Sequence, residues 1–275
     1  MTLTLVYIRS RRAQSDTVLQ DPDDRRSITL VLLAGAVVPA AVLFGMMLWS
    51  ISINPPVSAQ ENGLVVEVTG HQWWWEVHYP HENIITANEI HIPVGQTVTV
   101  RLTSADVNHS FWVPQLAPKL DLIPGQWNTM TLEAGKAGTY RGQCAEFCGV
   151  QHAHMAFLVI ADPPEAFARW VAQEQQPAPD PTTKLAKQGQ QVFLSSACVY
   201  CHTINGTAAD GKVGPDLTHL ASRTTIGAAL LPNTPGNLAG WIINSQALKP
   251  GNKMPPMQLG PDQMQALLAY LATLE

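Results

Sequence analysis

The alternation of hydrophobic and polar positions changes rhythm along this chain, and each rhythm predicts a different element. Ile28 to Ile53 is a run of 26 residues with no charged side chain. That exceeds the ~20 apolar residues needed to take a helix across the hydrocarbon core of a bilayer. Gly35 and Pro39 fall inside the run, and membrane helices tolerate both. One N-terminal transmembrane helix is therefore predicted over 28–53. A cleaved leader has a shorter apolar core, ~7–15 residues, with small residues close behind it. The "PPVSAQEN" segment offers a junction after Ala59 as the rival reading, and the length of the run favours a permanent anchor. Arg9, Arg11, Arg12, Arg25 and Arg26 all precede the span, which assigns residues 1–27 to the cytoplasm and everything after residue 54 to the outside.

From Gly63 to Ile160 the period shortens to two. "LVVEVTG", "EIHIPVGQTVTVRLTS", "WNTMTLEA" and "MAFLVIAD" are β-branched, alternate in polarity and are separated by Gly, Pro and Asn turns. They predict a β-sandwich or barrel. "DPPEAFARWVAQE" has proline at a helix start and sets Phe167, Trp170 and Val171 on one face, so a short helix closes a domain over 60–174. Gln175–Thr183, "QQPAPDPTT", reads as a semi-rigid Pro-rich linker. Beyond it Lys184–Ser196 and Pro261–Leu274 have helical periodicity, with Leu267, Leu268 and Leu271 stacked on an apolar side. Residues 184–275 are expected to form a small α-helical domain.

Composition adds one exclusion. Residues 60–176 carry five basic side chains against twelve acidic ones, while 1–27 and 177–275 are each within one charge of neutrality. No domain has the basic stripe that nucleic acid requires. The cysteines are two close pairs, Cys144 with Cys148 and Cys198 with Cys201. A disulfide framework normally shows more cysteines in a shorter secreted chain, so the pairs read as two local ligand or attachment motifs.

"CVYCH" places Cys198 and Cys201 one helical turn apart with His202 directly after. Two thiols at that spacing can bond the two vinyl groups of a haem while the imidazole reaches the iron. Zinc would need two further ligands, and a redox pair has no use for the histidine. A sixth iron ligand is required, and sulfur there raises the potential. Met254, Met257 and Met264 come later in the chain; Met264 falls inside a helix and reads as core. Met254 opens "MPP" after a Gly-Asn-Lys turn, where proline keeps the chain extended. This resembles the axial-methionine loop of class I cytochromes c and favours Met254 over Met257. "GPDL" similarly resembles the segment whose carbonyl, here that of Pro215, accepts from the axial histidine. His219 reads as a surface residue.

"CAEFCGVQHAHM" holds Cys144, Glu146, Cys148, His152 and Met155 within twelve residues. Two thiolates, an imidazole and a thioether are copper ligands by type. A mononuclear blue-copper site uses one cysteine, whereas two could bridge two copper ions. "DVNHSFWVP" supplies a second histidine, His109, expected at the end of a strand and before a turn.

Together these segments closely resemble subunit II of cytochrome c oxidase and its binuclear CuA centre, over roughly residues 28–160. The resemblance implies a cupredoxin-like Greek-key domain in which Cys144 and Cys148 bridge both coppers. His109 and Met155 would complete one copper, and His152 with the Glu146 carbonyl the other. The Glu146 carboxylate would reach a Mg²⁺ shared with subunit I. In "GHQWWWEV", Trp73 matches the residue that receives electrons from cytochrome c. "LAPKLDLIPGQWN" matches in Lys119, Asp121, Pro124 and Gly125. His154 matches no ligand and is expected to face solvent; His71, His78, His81 and His91 are expected in strands or at the surface.

The appended cytochrome resembles the fused subunit II of caa3-type oxidases. The resemblance implies a subunit of a bacterial inner-membrane oxidase, with its copper and haem domains on the periplasmic face. Electrons would pass from a soluble cytochrome c through haem c to CuA. Subunit I would then use them to reduce oxygen with proton pumping, with subunit III as a further partner. The family normally has two membrane helices, and "LVYIRSRR" (Leu5–Arg12) looks like the cytoplasmic end of a first one.

A CuA-containing nitric oxide reductase would need a similar subunit and is the alternative. A quinol oxidase subunit lacks the copper ligands, nitrous oxide reductase has a large preceding domain, and a copper-delivery protein has no use for haem. Lys249 and Lys253 flank Met254, so a basic rim on a cytochrome swinging from the linker is expected to dock on the acidic copper domain near Trp73.

Overall fold

The computed structural model describes residues 22–53 and 63–275. Expectations resting on Arg9, Arg11, Arg12, the Leu5–Arg12 segment and the Ala59 junction lie outside them. Helices α1 (Pro22–Leu32) and α2 (Val38–Ile53) are joined by a π-helical turn, Leu33–Val37. The wide turn falls just ahead of Pro39, which has no N–H to offer the carbonyl four residues back. Arg25–Ser52 forms a helix of 28 residues, long and apolar enough to cross a membrane. Leu30, Val31, Phe44 and Trp49 are all exposed on it, as suits a helix that is hydrophobic all round.

Residues 63–275 form a separate compact unit. Its first part is a sandwich of two five-stranded sheets. One sheet has the order β3-β2-β1-β5-β8 and the other β4-β10-β9-β6-β7. The strands are β1 (Val65–His71), β2 (Trp74–Tyr79), β3 (Ile84–Ala87), β4 (Glu89–Pro93) and β5 (Val98–Ser104). They continue as β6 (His109–Val113), β7 (Ala117–Leu122), β8 (Asn128–Leu132), β9 (Gly138–Cys144) and β10 (Ala156–Asp162). β1 runs parallel to β5 and β10 parallel to β4, while the other pairs are antiparallel. The chain therefore crosses between the sheets, as in the cupredoxin-like Greek key.

Period-two patterning sends Val66, Val68, Val98, Val100 and Leu102 inward. Trp75 anchors the core, with its ring edge on Phe157 at 5.0 Å and on Phe111 at 6.2 Å. The predicted closing helix is α3 (Pro164–Glu174). Its Trp170 stacks on His91 at 4.3 Å, and His91 Nδ1 lies 2.7 Å from Asp162.

The second part is helical: α4 (Lys184–Leu194), α5 (Pro235–Leu248) and α6 (Pro261–Leu271). α4 and α6 cross at Gly189, where a β-carbon would meet the Ala266 carbonyl oxygen at 1.9 Å. Only glycine allows that approach. Thr183 caps α4 by accepting from Ala186 N at 3.1 Å. A small ribbon, β11 (Thr225–Ile226) with β12 (Leu231–Pro232), joins the helices. α5 was not legible in the pattern, because the apolar Ile243 is exposed beside the buried Ile242 and the helix is interrupted at Asn244.

The two parts are fastened together. The Glu89 carboxylate on β4, buried at 3% exposure, accepts from Thr224 N at 2.9 Å, Thr225 N at 3.0 Å and both threonine hydroxyls. Arg223 donates to Thr86 Oγ1 at 3.2 Å and Gln151 to the Pro250 carbonyl at 2.6 Å. The linker itself is tied down, with Ala178 N donating to Asn205 at 2.9 Å and Gln175 to Glu82 at 2.8 Å. The helical part is packed against the sandwich and does not hang free on its linker in this arrangement. The domains meet in a hydrogen-bonded contact, because the facing surfaces carry polar groups that satisfy one another.

Candidate copper and haem sites

Three strand ends converge at one end of the second sheet. β6 begins with His109, β9 ends with Cys144, and Met155 leads into β10 after a 3₁₀ turn at His152–His154. His109 thus opens its strand rather than ending one, since the turn at 105–108 precedes it. Cys144 N donates to the Met155 carbonyl at 2.8 Å and Ala145 N to that of Ser110 at 2.9 Å, tying the three ends together.

The donor atoms then fall into contact. Cys144 Sγ lies 3.7 Å from Cys148 Sγ, 3.8 Å from His109 Nδ1 and 3.1 Å from the Glu146 carbonyl oxygen. Cys148 Sγ lies 3.6 Å from His152 Nδ1 and 3.7 Å from Met155 Sδ. Both cysteines are free and buried. Sequence-predicted ligands from His109 to Met155 therefore share one cluster. His154 is exposed and turned to Gln151 at 2.7 Å.

Sequence reading missed Asp106. Its Oδ1 lies 2.9 Å from His109 Nε2, and its carboxylate also accepts from Gln72 N and Val107 N. With Nε2–H engaged, the His109 Nδ1 lone pair is left for a metal, the usual device for fixing a ligand's tautomer. An aspartate three residues ahead of a candidate ligand histidine was the available signal. Gly70 makes room for this ring, because a β-carbon there would lie 2.7 Å from His109 Cδ2.

Electrostatics bias the cluster toward anionic sulfur. Hydrogen bonding from Cys148 pulls the Cys144 thiol far down, and burial opposes this without prevailing. The Cys148 thiol is driven up by the same contact and by burial, since two thiolates this close cannot both ionise in the absence of a cation. Burial pushes His109 down, but its bonds to Cys144 and Asp106 outweigh that and the net shift is upward. Such a set gives up its remaining proton when a soft cation binds.

The haem motif lies on another face of the contact. Cys198 sits in a 3₁₀ turn, Ala197–Tyr200, and His202 N donates to the Cys198 carbonyl at 3.0 Å. His202 Nδ1 lies 2.7 Å from the Pro215 carbonyl, which turns Nε2 toward the cavity. A cavity of ≈ 330 Å³ is lined by Cys198, Cys201, His202, Met254 and Met257 together with apolar side chains. Both methionines of the loop reach it; Met264 is buried in α6. Arg223 also lines it, and its Nε is buried with no protein partner. A flat apolar group carrying carboxylates fits this set of donors. His219 is not a surface residue. At 3% exposure it bonds the Glu275 carbonyl at 2.7 Å and that of Gln176 at 3.1 Å, tying the linker to the chain end.

Trp73 stands between the two sites. It lines the cavity beside Cys198 and Cys201, and its Nε1 donates to the Cys148 carbonyl at 3.0 Å. Gln72 donates to the same carbonyl at 2.8 Å. Lys253 lies 3.7 Å from Asp106, so the lysine beside Met254 faces the carboxylate that orients His109.

The family described as cytochrome c oxidase subunit II, periplasmic domain, matches residues 82–162, and the cytochrome c family matches 186–275. Cytochrome c oxidase subunit 2 of Alkalihalophilus pseudofirmus is 39% identical over 249 residues, covering 90% of this chain and 70% of that one. That of Bacillus sp. strain PS3 is 34% identical, covering 90% and 72%. Among solved structures, the periplasmic domain of subunit II of the Bradyrhizobium japonicum cytochrome oxidase is 31% identical. It covers 43% of this chain and 97% of its own, with a TM-score of 0.41.

Proposed function

Given that the chain belongs to the cytochrome c oxidase subunit 2 family, we propose that it holds a binuclear copper centre and a covalent haem as the way in for electrons to a terminal oxidase. Both groups, when bound, supply one-electron transfer. The observation that carries the reading is the convergence of Cys144, Cys148, His109, His152, Met155 and the Glu146 carbonyl on one cluster of contacts.

Cys144 and Cys148 would bridge the two coppers. His109 and Met155 would complete one, His152 and the Glu146 carbonyl the other, with Asp106 orienting His109. Cys198 and Cys201 would form the thioether bonds. His202, oriented by Pro215, and Met254 would take the axial positions, and Arg223 would face a haem carboxylate. Trp73 holds its indole against the cavity wall at one side and the Cys148 carbonyl at the other, and so offers a short covalent and hydrogen-bonded path between the sites.

Residues 63–275 would lie on the outer face of a bacterial inner membrane, anchored by the N-terminal helix. A soluble cytochrome c is the proposed donor, with subunit I and subunit III as partners. Oxygen would be reduced in subunit I. Phe147, 76% exposed beside the copper ligands, gives that partner an apolar contact. The Glu146 carboxylate is half exposed and 3.9 Å from Lys119, so a magnesium ion there would draw further oxygen ligands from subunit I.

Affinity purification of the full chain from its native membrane tests the reading. A large multi-span subunit should co-purify, and the complex should consume oxygen from reduced cytochrome c. Isolation with a partner that turns over nitric oxide but not oxygen would contradict it.

A further inference from the structure

We propose that Lys249 is a positioning residue for electron transfer between the haem and copper sites, clasping both domains so that no domain motion precedes transfer. This rests on the reading that the two sites hold haem and copper. Lys249 follows α5, five residues ahead of Met254, and is 2% exposed. An ammonium group so buried is tolerated only where its donors are satisfied. Its three N–H donors meet three carbonyls: Trp73 at 2.8 Å, His154 at 2.8 Å and Gly227 at 2.9 Å.

Those acceptors come from three segments that matter to transfer. Trp73 reaches Cys148 through its indole. His154 lies between His152 and Met155, in the turn that carries two copper ligands. Gly227 belongs to the ribbon loop that walls the haem cavity. That loop is held in an unusual form: Gly227, Ala228 and Ala229 all have positive φ, at 68°, 66° and 54°. Alanine avoids this region unless its surroundings over-determine it. Here the surroundings are the other domain, since Ala156 N donates to the Ala228 carbonyl at 3.3 Å. Lys249 thus joins the axial-methionine loop, the cavity wall, the Trp73 backbone and the ligand turn at one nitrogen.

A basic rim docking through surface charge would act differently. Lys253 is the exposed member of the pair and faces Asp106 across 3.7 Å, whereas Lys249 is solvated by carbonyls inside the contact. Salt screens the first kind of interaction strongly and the second weakly.

The test uses the full chain loaded with haem and copper, with the haem reduced by a light pulse and the copper followed optically. The wild-type rate should be independent of solvent viscosity and little changed at 1 M salt. Lys249→Met keeps most of the unbranched stem but removes all three donors, leaving the carbonyls unpaired. The docked fraction should fall and the rate with it, on the order of tenfold or more. The residual rate should become viscosity-dependent while both midpoint potentials stay at wild-type values. A loss of packing alone would not introduce viscosity dependence.

A wild-type rate that drops with viscosity would overturn the proposal even if the variant does not fold. So would a variant that keeps both the wild-type rate and its indifference to viscosity. Complete absence of transfer in the wild type would instead bring down the underlying functional reading, and this proposal with it.

Discussion

Replacing Cys148 with serine should cut the copper content of the loaded chain from two ions to one or none. Sulfur at this position touches Cys144, His152 and Met155 at once, so its removal breaks the cluster at its centre. A hydroxyl is a harder and less readily ionised ligand, and a single remaining thiolate does not hold two ions at short separation. The spectrum of an electron shared between two coppers should vanish. Haem content should be unchanged, since Cys148 does not line the cavity that holds the attachment cysteines. The Cys148 carbonyl still accepts from Trp73 and Gln72 through the backbone, so the fold around the site has its scaffold. Metal analysis with the optical spectrum measures both effects. Two coppers and an unchanged spectrum in the variant would remove Cys148 from the ligand set.

Met254→His should retain the covalent haem and lower its midpoint potential, by on the order of 0.1 V or more within the ~0.8 V that axial ligands span. Imidazole donates more strongly than a thioether and favours the oxidised iron. Met254 is also fixed from behind: its backbone N–H donates to Asn252 Oδ1 at 2.8 Å, and its carbonyl accepts from Ser245 and Gln246. Those bonds hold the loop so that one side chain can be presented reproducibly. Met257 lines the same cavity, which makes Met257→His the informative control. It should leave the potential close to the wild-type value. The opposite pattern would move the axial position to Met257.

Much of the site was legible because its chemistry is local. The proposed ligands Cys144 to Met155 fall within one short segment, and Cys198, Cys201 and His202 within one turn, so their spacing reports their geometry. A strand such as β1 was legible because one face is buried and the alternation is clean. What escaped depends on long-range placement. Lys249 contacts Trp73 across 176 residues, and nothing near it in the sequence distinguishes it from a solvated surface lysine. Glu89 looks like an ordinary strand-edge acid until Thr224 and Thr225 close over it. His219 reads as exposed because the groups that bury it, Gln176 and Glu275, are the linker and the chain end. α5 was obscured because Ile243 and Leu248 are apolar yet exposed beside the buried Ile242. The contact of Lys249 and Lys253 with the copper domain near Trp73 was expected in its location, but as surface charge; Lys249 instead lies buried among backbone carbonyls.

Above all, electrons taken up by the haem are expected to pass to the copper centre within the same chain. Light-pulse reduction of the haem in the loaded wild-type chain, in the absence of oxygen, tests this most directly. Haem re-oxidation and copper reduction should share one time constant, and that constant should be independent of protein concentration. A haem that stays reduced, or a rate that scales with concentration as transfer between molecules does, would contradict it.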